Sequence, residues 1–422
     1  MVQLKDDCFA FGGDLTNIEV ALESISANLS NVCDIETVSL LDALGRIVAK
    51  DIKAKRNVPP YNNSAVDGYA IYFDDLEKFH ETRIPITGRI AAGHPLNRPA
   101  RRGEALRVFT GAPIPFGEEG GPDTIFMEED CCRDEDFVTL PHGLERGANW
   151  RPSGEDLRKG DVILEAGHLL RAQDIGLIAS VGLAEVAVFE RLRVAIFSTG
   201  DEIFDPSVEA PEGCIFDSNR FSILGLLKNL GCEVTDLGIL PDKEEVITNA
   251  MCSAAQDHNM IITSGGISAG EEDHVKAAVE RLGNINFWRF AIKPGRPIAL
   301  GKIKDAAFVG LPGNPVATII TFLMIARPLI KVLGGAINVS VNHFQIPANF
   351  DYKKKKGRRE WVRARLKIGK NRSLSADKFP AGGSGILTSM VEADGLIELE
   401  EEIEVIHKGD LISFILFSEV MR

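Results

Sequence analysis

The chain has 422 residues, 45% of them hydrophobic and 26% charged, as in ordinary globular proteins; about 150 residues per domain suggests about three domains. The formal net charge of −14 argues against non-specific nucleic-acid binding, although a locally basic pocket can still hold an anionic ligand. Seven cysteines without a CxxC pair suit neither a disulfide framework nor a zinc site, which favours a reduced, cytoplasmic setting.

Neither a signal peptide nor a membrane partner is predicted. Asp6 and Asp7 interrupt any apolar run at the N-terminus, and no stretch of about 18 consecutive apolar residues occurs.

Residues 15–55 are predicted to form the first part of a base domain, and residues 15–50 are expected to be helical. Its first helix is indicated by an apolar stripe at i, i+3, i+4 and i+7, formed by Ile18, Ala21, Leu22 and Ile25. A second helix is predicted over 38–44, closed by Gly45. Residues 155–188, with a short helix over 172–181, are predicted to complete the same discontinuous base domain.

Residues 56–154 are predicted to form an inserted β-rich domain, because proline and glycine recur between short apolar runs. Residues 189–334 instead alternate apolar strands at 192–197, 259–263 and 306–310 with helical stripes, which predicts a parallel sheet covered on both faces. Residues 335–422 return to alternating β patterns and are expected to form a small barrel or sandwich.

Each of the three predicted strands of the α/β domain runs into a polar loop that contains glycine. Because ligands bind beyond the carboxyl ends of parallel strands, we expect these loops to meet at one phosphate-binding edge. Lys293 and Arg296 add positive charge there. Any one of these loops alone could be a structural turn. The candidate ligand-binding residues are Thr199, Gly200, Ser264, Gly265, Gly266, Ser268, Pro312, Gly313, Asn314 and Pro315.

Carboxylates flank the same loops: Asp201, Glu202, Asp217 and Asp273. Acids beside a phosphate site favour Mg²⁺, a hard cation that prefers oxygen ligands. The acids at 271–273 could equally mark the start of a helix, where negative charge matches the helix dipole.

A second set of polar residues lies far away in the sequence. The segment 59–70, PPYNNSAVDGYA, carries Ser64 and Asp67. The segments VFTGAPIP and RPSGEDLRKGD add Thr110, Glu155 and Asp156. Read alone, these turn-rich segments could simply form structural turns without a role in a site.

Together these segments resemble the MoeA family and its eukaryotic relative, the gephyrin E domain. SAVDGYA, VFTGAPIP, GEDLRKGD, STGDE, FDSN, SGGISAGEEDH, KPGRP, LPGNP and AGGSGILTSMVEADGL follow in the family's order, from about residue 20 to the C-terminus. Val66, Ala269 and His274 depart from the commoner residues, but none of them removes a charge.

The resemblance implies an elongated homodimer with a helical base domain, an inserted β-rich domain, an α/β pterin-binding domain and a C-terminal β-barrel domain. Its cleft would lie between the α/β domain of one subunit and the β-rich region of the other. The implied reaction is Mg²⁺-dependent insertion of molybdate into adenylated molybdopterin with release of AMP. An adenylyltransferase would supply the substrate, and molybdoenzymes or their chaperones would receive the product.

Carried over residue by residue, the resemblance gives catalytic roles to Asp67, Thr110, Asp156, Glu202 and Asp273. Asp201, Glu202 and Asp273 would hold the metal. Residues 264–268 and 293–296 would hold phosphates, with Ser64 and Asp217 also at the pterin site and Pro312 and Pro315 shaping their loop.

Two other functions stay open at this point. One is a non-catalytic dimeric scaffold of the gephyrin type, and the other is the adenylyltransferase itself, against which the long flanking domains argue. The basic run formed by Lys353 to Lys356, Arg358 and Arg359 is interpreted as a solvated hairpin, with docking of an acidic partner as the lesser option.

Overall fold

The computed structural model describes Ile18 and residues 29–266, 274–295 and 297–421, with the backbone alone at 286–289 and 297. The predicted stripe residues Ala21, Leu22 and Ile25 lie outside the described residues, and so do Ser268, Asp273 and Arg296.

The described part of the predicted base is built mainly from paired strands. Ile35–Ser39 pairs antiparallel with Glu185–Phe189, and Ile52–Lys53 pairs with Val162–Leu164. Its helix is Ala172–Ser180, as the sequence predicts. Residues 35–53 thus pair with residues 162–189 across the intervening β-rich segment. The boundaries of the domains stay a prediction.

The helix predicted over 38–44 is wrong. Val38 belongs to a strand and pairs with Val186, and only a 3-10 turn, Leu40–Asp42, follows it. The apolar spacing reflects burial against the partner strand, which outweighs a short helical pattern. The base is therefore less helical, among its described residues, than the sequence indicated.

The β-rich region contains a six-stranded sheet. Its strand Gly68–Ile71 alternates between two apolar cores, with Ala70 on one face and Tyr69 and Ile71 on the other. The strands lie in the order Thr124–Met127, Gly68–Ile71, Ala105–Val108, Thr82–Ile90, Phe137–Leu140 and Cys132–Asp134.

The α/β region also has a six-stranded sheet, but its strands are not all parallel as predicted. The first four in spatial order, Glu233–Leu240, Arg193–Thr199, Met260–Ser264 and Ala306–Leu311, are parallel. Pro297–Ile303 runs antiparallel to Ala306–Leu311 and to the last strand, Gly283–Arg289. The connections between these last strands are too short for a crossover helix, so the chain has to turn back on itself.

Helices cover both faces of this sheet, as expected. Asn219–Asn229 and the run Pro315–Thr321, Phe322–Ala326 and Arg327–Leu333 pack on the face that carries Val194 and Ile196. Glu244–Asp257 and His274–Leu282 pack on the opposite face, which carries Ala195 and Phe197.

The helical run Pro315–Leu333 is long and apolar enough, by length and composition alone, to cross a membrane. However, 83% of its most apolar stretch is buried inside the protein, as in the core helix of a globular domain.

The C-terminal region forms a third, mainly antiparallel sheet. Ala348 makes a bridge with Ala376, so that the two ends of the sheet meet around an apolar core. This closure agrees with the predicted barrel. The strands are Phe344–Pro347, Arg359–Ile368, Leu374–Lys378, Gly395–Leu399 and Leu411–Leu416, with a separate pair formed by Tyr352–Lys353 and Val405–Ile406; short helices lie at Thr388–Val391 and Phe417–Val420.

The interpretation of the basic run as a solvated hairpin is wrong for two of its residues. Lys354 is buried, and its Nζ donates to the carbonyl oxygens of Arg358 at 2.7 Å and Glu401 at 3.2 Å. Arg359 is also buried and pairs with the carboxylates of Glu398 and Glu401. Internal acceptors satisfy these cations, a pairing that no local sequence pattern reveals.

Candidate functional site

The structure brings the three glycine-containing loops of the α/β region together. Ser198 lies opposite Ser264, and Ser264 lies opposite Leu311, so adjacent strands end at the same edge. The backbone N–H of Gly265 donates to the carbonyl of Leu311 at 3.1 Å and joins two of the loops directly.

Glycine is required by the close approach of these loops. Gly266 has a φ of +66°, and a Cβ added there would lie 2.9 Å from Thr199 Cγ2. A Cβ on Gly313 would lie 3.9 Å from the Cα of Gly265. The side chains of Val275 and Thr199 therefore leave no room for a side chain at Gly266, whereas Gly313 is in ordinary van der Waals contact with Gly265.

The order of the strands places these loops at a topological switch point. From Arg193–Thr199 the chain moves to Glu233–Leu240 on one side and then returns to Met260–Ser264 on the other. In open α/β sheets the crevice at such a reversal is where ligands bind.

Buried polar atoms at this edge lack partners within the part of the chain that the structure describes. They are Ser198 Oγ, Thr263 Oγ1 and Asn219 Oδ1. The amide of Asn219 also donates to the carbonyl of Gly313 at 2.7 Å, and Thr199 Oγ1 donates to Asp242 Oδ1 at 3.2 Å. Because buried polar groups normally find partners, these atoms are available to a polar ligand at this edge.

Asn219 and Asp242 were missed by the sequence reasoning. Asn219 stood in the FDSN segment, and Asp242 follows the strand Glu233–Leu240 just as Asp201 follows Arg193–Thr199. The signal for Asp242 was therefore its place after a parallel strand, although no glycine-rich loop marked that strand.

The predicted acids differ in their surroundings. Asp201 and Glu202 are exposed in the turn after Thr199. Asp217 is buried, and its carboxylate accepts hydrogen bonds from the backbone N–H of Arg220 at 3.0 Å and from its Nε at 3.1 Å. The Asp217 carboxylate thus anchors an arginine instead of standing open to a ligand.

The residues present suit a hard cation by their chemistry, since Asp201 and Glu202 supply exposed carboxylate oxygens. Among the described residues, no group of three or more His, Cys, Asp or Glu side chains forms a ready metal cluster. The third predicted ligand, Asp273, lies outside the described residues, so the complete metal set stays a prediction.

The turn that carries Lys293 is fixed between two sheets. Ile292–Lys293 pairs with Arg359–Glu360, and Lys293 Nζ lies 3.3 Å from Glu360 Oε2. A Cβ on Gly295, whose φ is +90°, would lie 3.5 Å from Pro312 Cγ, so this turn packs against the 311–315 loop.

The 311–315 loop leads into a helix. Pro315 occupies the first helical turn, as predicted, and Asn314 precedes it in an extended conformation. Asn314 makes no side-chain capping hydrogen bond, but its carbonyl accepts from Thr318 N at 2.9 Å. The hydroxyl of Thr318 donates to the carbonyl of Pro312 at 2.5 Å and holds the loop against the helix.

The second set of polar residues predicted from the sequence is centred on Asp67. Its Oδ1 accepts hydrogen bonds from Thr110 N at 2.7 Å and Thr110 Oγ1 at 2.8 Å. These two hydrogen bonds lower the pKa of the exposed Asp67 carboxyl below its usual value. Ser64, by contrast, is buried and donates its hydroxyl to the carbonyl of Val66 at 2.5 Å.

Asp156 lies on a neighbouring loop with its side chain exposed. Its backbone N–H donates to the carbonyl of Val58 at 3.0 Å, and Ser153 N donates to Asn62 Oδ1 at 2.8 Å. The segments that carry Asp67 and Asp156 are therefore tied into one surface. In the described part of the chain, no hydrogen bond or ion pair connects this surface to the loops of the α/β region.

Comparisons with known proteins cover nearly the whole chain. Family models match at residues 16–182 (MoeA N-terminal region, domain I and II), 195–332 (probable molybdopterin binding domain) and 345–417 (MoeA C-terminal region, domain IV). The chain is 37% identical over 388 residues to a molybdopterin molybdenumtransferase of Haemophilus influenzae, covering 92% of this chain and 95% of the relative.

A second curated relative and a solved structure agree with this match. The chain is 34% identical over 330 residues to a molybdopterin molybdenumtransferase of Synechococcus elongatus, covering 75% of this chain and 80% of the relative. The molybdopterin biosynthesis MoeA protein of Pyrococcus horikoshii superposes with a TM-score of 0.81 at 26% identity, covering 96% of this chain and all of that one (100%).

Proposed function

Because this chain belongs to the MoeA family of molybdopterin molybdenumtransferases, enzymes of molybdenum cofactor biosynthesis, we propose that it inserts molybdenum from molybdate into the dithiolene of adenylated molybdopterin. AMP is released, and Mg²⁺ is required. The observation that carries this proposal is the edge of the sheet at the switch point, where the loops after Thr199, Ser264 and Leu311 meet beside unpartnered buried polar atoms.

The crevice suits a phosphorylated pterin. Backbone N–H groups of the glycine loops and the Lys293 ammonium offer donors to phosphate oxygens. Asn219 Oδ1 and the buried hydroxyl of Ser198, on the sheet face that carries Val194 and Ile196, offer polar contacts for a heterocycle with many donors and acceptors. Positioning the pterin beside molybdate accounts for part of the rate enhancement, because the reaction of two bound reactants is effectively unimolecular.

Mg²⁺ would be held by Asp201 and Glu202, together with Asp273 by family resemblance. When bound, it neutralises the phosphates and the leaving AMP. Thr199 precedes Asp201 by two residues, and its hydrogen bond to Asp242 holds the start of the turn that carries these acids.

Asp67 and Asp156 form the other side of the proposed site. Asp67 stays ionised at neutral pH, because Thr110 stabilises its carboxylate through Oδ1. Its Oδ2 has no hydrogen-bond partner within the described residues and remains available to orient a ligand. An ionised carboxylate repels molybdate, so its role is to accept a hydrogen bond or to bind a cation.

The two halves of the site belong to different subunits in this proposal. Within one chain, nothing in the described part joins the Asp67 surface to the crevice, whereas a homodimer with its cleft between subunits would bring them together. The enzyme would act in the cytoplasm, receive its substrate from an adenylyltransferase and pass its product to molybdoenzymes or their chaperones.

The test is turnover of adenylated molybdopterin with molybdate and Mg²⁺, followed as AMP release. We expect AMP release to require molybdate and Mg²⁺ and to fall at least about 100-fold in Asp67→Asn, since a group that orients a reactant contributes on this order. Asp410→Asn is the matched control, because that exposed carboxylate accepts a backbone hydrogen bond from His407 at 2.7 Å in the C-terminal region.

Two outcomes would contradict the proposal. Tight pterin binding without turnover in the wild type would favour the alternative of a non-catalytic scaffold. Equal losses in Asp67→Asn and Asp410→Asn would show that Asp67 acts only through folding.

A further inference from the structure

The α/β region extends a short segment into the C-terminal sheet. Ile292–Lys293 lies beside Arg359–Glu360 as a parallel edge strand, and Arg359 N donates to the carbonyl of Ala291 at 2.7 Å. The backbone position of Lys293 is therefore determined by a strand of the C-terminal sheet.

Directly beside this lysine is a buried carboxylate. Glu360 is 1% exposed, and its Oε2 lies 3.3 Å from Lys293 Nζ and accepts the hydroxyl hydrogen of Tyr352 at 2.8 Å. Its Oε1 accepts from Arg358 Nε at 2.7 Å. Both oxygens are thus engaged, as a buried carboxylate requires.

The charge states of these groups follow from their contacts. Burial alone would raise the pKa of Glu360, but the hydrogen bonds from Tyr352 and Arg358 and the charge of Lys293 lower it below its usual value. Burial and the hydrogen bond to Glu360 raise the pKa of Tyr352 to about 12. At neutral pH Glu360 is therefore ionised, and Tyr352 remains a donor.

Lys293 differs from its partner in exposure. Its side chain is 43% exposed while that of Glu360 is almost completely buried. An ammonium has three donors, so one contact with Glu360 leaves others free to meet a ligand. Two cations, Lys293 and Arg358, contact this single carboxylate.

We propose that Glu360 is a positioning residue, which holds the Lys293 ammonium where the phosphate groups of the substrate bind. The inference rests on the proposed function, which gives Lys293 a role in phosphate binding. Glu360 itself does not touch the substrate. It restricts a long, flexible side chain to one direction before the anion arrives, and so reduces the ordering that binding would otherwise require.

The experiment measures kcat and KM for adenylated molybdopterin in Glu360→Gln, Lys293→Met and the double variant. We expect each single variant to raise KM about tenfold and to leave kcat within about twofold, because binding is weakened equally in the ground and transition states. In the double variant KM should equal that of Lys293→Met, because Glu360 acts only through the lysine.

A second variant and a control guard against a merely structural effect. Tyr352→Phe removes one donor to Glu360 without altering any charge and should raise KM about threefold. Glu104→Gln alters another buried carboxylate, paired with Arg98 at 2.8 Å in the β-rich region, and should leave KM unchanged.

The outcomes separate this inference from the proposed function. If Lys293→Met leaves KM unchanged, the phosphate-binding role of Lys293 fails and the inference is overturned with it. If Lys293→Met raises KM but Glu360→Gln does not, only the inference is overturned. The inference alone is also overturned if the double variant has a higher KM than Lys293→Met, because Glu360 would then act independently of the lysine.

Discussion

Arg220 is the residue whose removal should most disturb the turn that carries the candidate metal ligands. Its side chain is 6% exposed and pairs with three aspartates: Asp217 at 3.1 Å, Asp205 at 2.5 Å and Asp236. Asp205 lies just after Asp201 and Glu202 in the chain, so the arginine ties their turn to the helix Asn219–Asn229.

The cost of Arg220→Met follows from burial. Asp217, with a side chain 2% exposed, would be left as a buried carboxylate without its cation. Breaking a buried pair in this way costs about 3–5 kcal/mol, whereas methionine keeps most of the apolar volume of the arginine. With a urea m-value of about 3 kcal/mol/M, at the upper end of the range for small proteins, the unfolding midpoint of the cooperative unit that contains Arg220 should fall by roughly 1 M or more.

Arg146→Met is a close control for this experiment. Arg146 also pairs with two aspartates, Asp74 and Asp123, and its guanidinium lies over Phe73, as that of Arg220 lies over Phe221. It is 53% exposed, so solvent screening makes its ion pairs weak. Urea unfolding of both variants should show a large shift for Arg220→Met alone. Equal shifts would refute the argument from burial.

Three further predictions follow from other contacts. Thr110→Val should raise the pKa of Asp67 toward its usual value of 3.8, because the hydroxyl hydrogen bond to its carboxylate is lost. On acidification Asp67 should then become protonated at a higher pH, which an NMR titration of the carboxyl group measures. An unchanged pKa would contradict this prediction. Gly266→Ala should reduce turnover by about 10- to 100-fold by displacing the loop, whereas Gly225→Ala, in open space within a helix, should stabilise by about 0.5–1 kcal/mol. Burial lowers the pKa of Lys331 from 10.5 to about 8, so the charged lysine destabilises the folded protein below pH 8. Lys331→Met should therefore raise Tm below pH 8, and this gain should disappear as the pH rises to 10.5. A Tm difference that does not change with pH would contradict this.

The sequence was informative where periodicity and topology determine geometry. The apolar run in 192–197 predicted a buried strand, and Val194 and Phe197 do pack on opposite faces of the sheet. The meeting of the loops after Thr199 and Ser264 followed from parallel strands alone, because their carboxyl ends share an edge.

The sequence was less informative where distant partners decide the outcome. Asp217 was predicted to face a ligand, but Arg220 occupies its carboxylate. Lys354 was predicted to be solvated, but carbonyl oxygens surround its ammonium. The antiparallel direction of Pro297–Ile303 depended on the length of a connection, which apolar spacing does not reveal.

The edge strand Ile292–Lys293 has a consequence for how the protein unfolds. It belongs in sequence to the α/β region but completes the hydrogen bonding of the C-terminal sheet. A chain cut after Gly334 would leave this strand with its backbone donors and acceptors unpaired, and the separated C-terminal piece would lose an edge. The two regions are thus coupled parts of one cooperative unit, and heat or denaturant should melt them in a single step.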